Sequence, residues 1–179
     1  MTSELLMKNM VAIVIRKAVK EDALKVVEYL AKIGGETNFL TFGPGELTIS
    51  VNDEEASIEE NRKAVNKVMI VAVVEDKVIG ILSFTGGARP RVQHIGEFGI
   101  TVLKDYWDQG IGTAMVEQLI KWAKASNVVR KINLRVRSDN YRAIHVYEKL
   151  GFHHEGLTTR DFYIDGEFYD SIRMGMHID

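Results

Sequence analysis

The sequence predicts a single α/β domain: a mixed, mostly antiparallel sheet with helices on both faces. Three observations carry this. A strand–helix–strand run near the middle of the chain calls for parallel pairing. Apolar segments joined by short polar turns on either side of it call for antiparallel hairpins. The 179 residues suffice for one domain with a two-layer core.

The first nine residues, MTSELLMKN, read either as a loose leader or as part of the fold. Val11 to Arg16 is a β-branched run and the first strand. Ala23, Val26, Val27 and Leu30 recur at helical spacing within Glu21 to Ala31. Gly34 to Gly45 is rich in Gly, Thr and Asn and reads as an irregular connection, after which Ser57 to Lys67 forms a second, highly charged helix. Val68 to Val74 and Val78 to Phe84 make a hairpin about "EDK", and Ile95 to Leu103 is a further strand. A glycine turn opens the next helix, whose apolar positions are Met115, Val116, Leu119, Ile120 and Ala123. Ile132 to Val136 alternates as a half-buried strand does, and a helix from Asn140 to Leu150 ends at Gly151. Phe152 to Tyr163 and Glu167 to Met174 close the chain as a hairpin about "IDGE".

Composition removes several classes of function. A formal charge of -2 supplies no electrostatic footprint for nucleic acid. The absence of cysteine excludes disulfides, Cys-ligated zinc and a thiol nucleophile, and fits a reducing compartment. The early apolar run Met10 to Ile15 is too short for a signal-peptide core or a membrane span, so the expectation is a cytoplasmic protein with no membrane partner. The five histidines form no metal-binding HExxH pattern, and His153 and His154 fall on opposite faces of a strand; no metal is expected.

The stretch "DYWDQGIGTAMVEQLI", Asp105 to Ile120, carries the chemistry. A strand running into a glycine turn and then a helix presents unpaired N–H groups at the positive end of the helix dipole. A phosphate or pyrophosphate is the natural occupant, and glycine lets it approach the amides of Gln109, Gly110, Ile111, Gly112 and Thr113. A nucleotide-hydrolysing P-loop needs Gly-Lys-Ser/Thr, but Thr113 and Ala114 follow Gly112. A dinucleotide-binding turn needs a third small residue where Met115 stands. What remains is a coenzyme A pyrophosphate site or a plain tight turn.

A second motif separates these. In "DNYRAIHVYEKLGF", Asp139 to Phe152, residues Asn140, Ala143, Ile144 and Tyr147 share one helical stripe. The two motifs in this order resemble the GCN5-related N-acetyltransferase family, whose patterns are Arg/Gln-x-x-Gly-x-Gly/Ala and Asn-x-x-Ala-x-x-x-Tyr-x-x-x-Gly-Phe. Trp107 departs from the first pattern, standing at its Arg/Gln position. The resemblance runs in order from Val11 to the final strands. It implies the acyl-CoA N-acyltransferase fold, with the sheet splayed between Ile95–Leu103 and Ile132–Val136, acetyl-CoA in that cleft, and possible pairing into a homodimer. It further implies that Ile100, Thr101 and Val102 pair with the pantetheine arm and that Asn140 belongs to the cofactor site. Lys104, Arg137 and Arg142 are candidates to meet the phosphates, with solvated surface as the alternative for each.

Acetyl transfer to an amine needs a base, because an alkyl ammonium has a pKa of about 10 and no lone pair. It also needs an oxyanion donor and a proton for the leaving sulfur. Without cysteine, direct attack in a ternary complex is favoured over an acetyl-enzyme. The resemblance gives Tyr147 as the general acid and the Val102 amide as oxyanion donor. Glu97, on the strand before the turn, is the candidate base, with His94 or a water chain as alternatives.

The expected acceptor is a primary amine of a small molecule. A protein or peptide N-terminus, and a non-catalytic acyl-CoA-binding module, are the alternatives. Phe39 and Phe42 either line the acceptor pocket or pack. Asp53, Glu54, Glu55, Glu59 and Glu60 either attract a polyamine or form an ordinary charged helix face.

Overall fold

The computed structural model describes residues 2–6 and 12–179. Eight strands form one sheet, β1 Thr2–Leu6, β2 Ala12–Lys17, β3 Lys67–Val74, β4 Lys77–Gly86, β5 Ile95–Val102, β6 Lys131–Arg137, β7 His153–Ile164 and β8 Glu167–His177, in the order β1-β2-β3-β4-β5-β6-β8-β7. Four helices accompany them: α1 Ala23–Ile33, α2 Val51–Lys63, α3 Ile111–Ser126 and α4 Tyr141–Lys149. All strand pairs are antiparallel except β5 and β6, the pair joined through α3. Among the described residues no helix is long and apolar enough to cross a membrane.

Local chemistry fixes the turns. The β3–β4 turn places Glu75 and Asp76 at φ 45° and 66°, and the β7–β8 turn places Asp165 and Gly166 at 52° and 86°. Both are two-residue turns whose twist matches that of the strands they join. Buried side chains cover both sheet faces. On one, the Tyr29 hydroxyl of α1 bonds Thr101 Oγ1 of β5 at 2.8 Å. On the other, Trp122 of α3 meets Phe84 edge-on at 5.5 Å and Tyr147 of α4 meets Phe98 at 5.9 Å.

Two expectations shift. Helix α2 starts at Val51, not Ser57, because Ser50 Oγ accepts from the Asp53 amide and caps it, and it ends at Lys63, with Ala64 already extended. Thr2–Leu6 is an edge strand paired with β2. Residues 7–11, which include the rest of the leader segment and the expected first strand residue Val11, lie outside the described residues.

Candidate active site

The site begins where the sheet divides. β5 and β6 pair only at Ile95–Lys131, Gly96–Ile132 and Glu97–Asn133. Beyond that, β5 stays on β4 as far as Val102, and β6 stays on β8 as far as Arg137. Register decides which peptide groups face the fork. Gly87 N–H bonds Ile95 O at 3.0 Å and Leu103 N–H bonds Ile79 O at 2.9 Å, so the odd-numbered residues of β5 direct their backbone polar groups at β4. Ile100 and Val102, beyond the last rung with β6, direct theirs into the fork. Thr101, expected with its neighbours to pair with a ligand, therefore faces β4 through its backbone and Tyr29 through its side chain. The Val102 carbonyl accepts from Trp107 Nε1 at 2.7 Å, while the Val102 amide stays free for the fork.

The glycine turn stands just past this edge. Gly110 adopts φ 76°, the left-handed conformation glycine favours, as N-cap of α3. The helix's first hydrogen bond runs from Ala114 N–H to Gly110 O at 3.0 Å, so the amides of Ile111, Gly112 and Thr113 have no acceptor within the helix. The Ile111 side chain is buried and anchors the turn. A Cβ on Gly112 would meet only the tip of Ile100, at 4.0 Å, so the space over those amides is clear. The Gln109 side chain folds back on Asp105 O at 3.4 Å. Arg142 reaches over the Trp107 ring, 5.5 Å from its centroid, and pairs with Asp108 at 2.6 Å, while the Lys104 side chain is exposed.

Tyr147 sits on the α3–α4 side of the fork, in a cluster with Phe98 and Phe152. Burial pushes its hydroxyl up to about 12. That hydroxyl has no hydrogen-bond partner among the described residues. Glu97 is exposed and immediately precedes Phe98, so the alternation of β5 sends it to the opposite face from Tyr147. The two candidate proton-transfer groups thus flank one strand from opposite sides. Asn140 caps α4, its Oδ1 accepting from the Ala143 amide at 3.2 Å, which gives it a structural task at the site's edge. The His94 side chain is exposed, and its carbonyl accepts from the Arg130 and Lys131 amides at 2.7 and 3.1 Å.

Glu97 shares its face with the odd-numbered residues of β6, and there Arg137 departs from expectation. It does not extend toward a phosphate site. Its side chain is 6% exposed, and the guanidinium pairs with both Asp139 oxygens at 3.0 and 2.6 Å and donates to Asn38 O at 2.8 Å. The rings of Tyr169 and Phe39 lie 3.7 and 4.9 Å from it. Arg137 thereby ties the connection after α1 to β8 and to the start of α4. Strand alternation alone places Arg137 on this face, two residues beyond Arg135 and four beyond Asn133. Phe42 packs on the core instead.

The acidic helix is largely neutralised: Glu55 pairs with Lys20, Glu59 with Arg62 and Glu60 with Lys67, while Asp53 bonds Ser50 and Glu54 is buried. Among the described residues no group of three or more His, Asp or Glu is placed to hold a metal ion.

A family model described as the acetyltransferase (GNAT) family matches residues 39–152. The L-amino acid N-acetyltransferase AaaT of Escherichia coli (strain K12) is 33% identical over 105 residues, 59% of this chain and 65% of that protein. The spermidine N(1)-acetyltransferase of the same strain is 32% identical over 83 residues, 46% of this chain and 45% of that protein. The chain thus spans less than two thirds of the length of either relative. The crystal structure of a GNAT-family acetyltransferase from Streptococcus pneumoniae superposes with a TM-score of 0.90 at 33% identity, covering 93% of this chain and 99% of that one.

Proposed function

Because the chain belongs to the GNAT acetyltransferase family, we propose that it moves the acetyl group of acetyl-CoA to the primary amine of a small molecule, by direct attack within a ternary complex. The observation that carries this is the juxtaposition of uncommitted backbone groups on β5 with the orphan amides of the glycine turn. The first suits an amide-bearing arm laid along the strand, and the second a diphosphate at the helix N-terminus.

Acetyl-CoA supplies a thioester whose carbonyl carbon accepts the amine nitrogen and releases the coenzyme as a thiol. The Ile100 backbone N–H and C=O hold the arm in the fork, and the amides of 109–113 hold the diphosphate. The Val102 N–H donates to the thioester oxygen as negative charge develops on it. Glu97, directly or through water, takes a proton from the acceptor's ammonium on its own face of β5, freeing the lone pair that attacks. Tyr147, on the other face, gives its hydroxyl proton to the departing sulfur and recovers, through solvent, the second proton that the acylated nitrogen sheds. The hydroxyl is fully protonated at neutral pH, as the role requires.

Calorimetry with acetyl-CoA, followed by thiol release across a panel of amines and peptides, tests the proposal. The expected result is tight binding with turnover on small amines. Binding without turnover on any member would indicate a carrier module, and absence of binding would overturn the proposal outright.

A further inference from the structure

We propose that Arg173, with Arg135 beside it, forms a subsite for a carboxylate on the acetyl acceptor, making the acceptor an amino acid or a molecule that shares its amine and acid groups. The subsite rests on the acetyl transfer proposed above.

Arg135 and Arg173 are register partners across β6 and β8. Ser138 N–H bonds Asp170 O and Ile178 N–H bonds Arg130 O, both at 2.9 Å, so the even positions of β6 are the hydrogen-bonded ones. The Arg135–Arg173 pair is therefore of the non-hydrogen-bonded kind, with Cα atoms about 4.5 Å apart and side chains close. Two like charges directly opposite one another are destabilising unless an anion lies between or beside them.

Charges on this face do not balance at that point. Lys131 pairs with Glu155 at 2.7 Å, Arg135 with Asp161 at 3.2 Å and Arg137 with Asp139 at 2.6 Å. Arg173 has no ion pair among the described residues, and it is exposed. Its neighbour on the other side is Gly156 of β7, and nothing lies within 4 Å of where a Cβ of that glycine would be.

Arg135 is held in place. An irregularity in β7 between Thr158 and Phe162, with Arg160 at φ 51°, delivers Asp161 to it. The fully buried Ser171 hydroxyl donates to the second oxygen of that carboxylate, and the Phe162 ring lies 5.6 Å from the guanidinium. Only one terminal nitrogen of Arg135 engages Asp161, which leaves donors for a second acceptor. A guanidinium fork matches a carboxylate in plane and spacing.

The position suits a small bifunctional acceptor. Glu97 pairs with Asn133, Asn133 with Gly175, and Arg173 lies two residues along from Gly175 on the same face. Strand spacing and rise put the Glu97 and Arg173 Cα atoms roughly 12 Å apart. Both side chains rise from the same face of the sheet, so a small molecule lying over that face can present its amine to Glu97 and its acid to Arg173.

The test compares L-leucine, L-methionine and L-phenylalanine with the same three skeletons lacking the carboxyl group. Thiol release is measured with acetyl-CoA, and equilibrium binding of each compound is measured calorimetrically to protein saturated with coenzyme A. At least one acid should exceed its descarboxylated amine by tenfold or more in kcat/KM or affinity. Arg173→Gln should cut that ratio at least tenfold through KM, with acetyl-CoA affinity unchanged, and Arg173→Lys should keep part of it. Melting curves confirm that both variants fold. Equal handling of acids and amines, or an Arg173→Gln ratio equal to wild type, would overturn the subsite while leaving acetyl transfer intact. Failure to bind acetyl-CoA would instead strike the underlying activity.

Discussion

Trp107 Nε1 donates to the Val102 carbonyl at 2.7 Å, joining the glycine turn to the last residue of β5. The family pattern has Arg or Gln at position 107; here the indole instead fixes the end of the strand that faces the fork. Trp107→Phe keeps the ring and deletes the donor. It should cost about 1 kcal/mol of stability and weaken acetyl-CoA binding several-fold by calorimetry. Unchanged affinity would disconnect this bond from the cofactor site.

The two glycines of the turn should fail differently. Gly110 at φ 76° is needed by the backbone, so Gly110→Ala should lose about 1–2 kcal/mol and melt lower. Gly112 lies in α3 with open space before it, so Gly112→Ala should melt at or above the wild-type temperature. Its acetyl-CoA affinity should nevertheless fall at least tenfold. A Gly112 variant that binds normally would show that the amides behind it are not the diphosphate site.

Tyr147→Phe should reduce kcat by about 100-fold or more while changing acetyl-CoA affinity little. With its hydroxyl pushed up to about 12, Tyr147 should contribute no ionisation to the rate between pH 6 and 10. The folded state keeps this proton where the unfolded chain releases it, near pH 10. Stability from this source is therefore complete below pH 10 and is lost as pH rises toward 12. Denaturant melts at alkaline pH should show that loss in wild type and not in Tyr147→Phe.

The Arg137 guanidinium holds the Asp139 carboxyl below its ordinary range. Its contribution is present above about pH 4 and disappears as pH falls through the lowered folded value. Asp139→Asn should destabilise by about 1 kcal/mol at pH 7, the carboxylate being partly screened by solvent, with the gap narrowing in urea melts below pH 4. Because Arg137 also holds Asn38 and Phe39, acceptor KM should rise more than the KM for acetyl-CoA.

Glu54 is 4% exposed and its Oε1 has no partner. Burial raises its pKa, so the folded protein grips this proton more tightly than the unfolded chain does. Stability from this group falls as pH rises from about 4.5. Glu54→Met should therefore stabilise at pH 7 by about 1 kcal/mol, with less gain near pH 4. A destabilised variant at pH 7 would mean the carboxylate is better solvated than its burial indicates.

Strand placement was legible because β-branched runs bounded by Asp, Gly and Glu turns leave few choices, and β3, β4, β5, β6 and β8 start within a residue or so of expectation. Helix α2 was misplaced because VNDEEASIEENRK has only Ile58 and Glu54 buried and so lacks an apolar stripe. Thr2–Leu6 carries too little apolar pattern to announce an edge strand. The two motifs gave the turn and Tyr147. What they could not give was register: that Thr101 faces β4 while Ile100 and Val102 face the fork depends on hydrogen bonds to residues about twenty positions away. Arg137 shows the same limit, since its partners Asn38 and Tyr169 are brought to it only by tertiary folding.

The split between β5 and β6 amounts to an interior selvage, a row of amides and carbonyls within the sheet where a neighbouring strand would ordinarily lie. At a sheet's outer margin such a row templates aggregation; here it lies inside the sheet, between β5 and β6. On that view the coenzyme's arm acts as a ninth strand, zipping two half-sheets into one. Amide hydrogen exchange at Ile100 and Val102 should then slow sharply on coenzyme addition, while exchange at Thr101, already bonded to β4, should barely change.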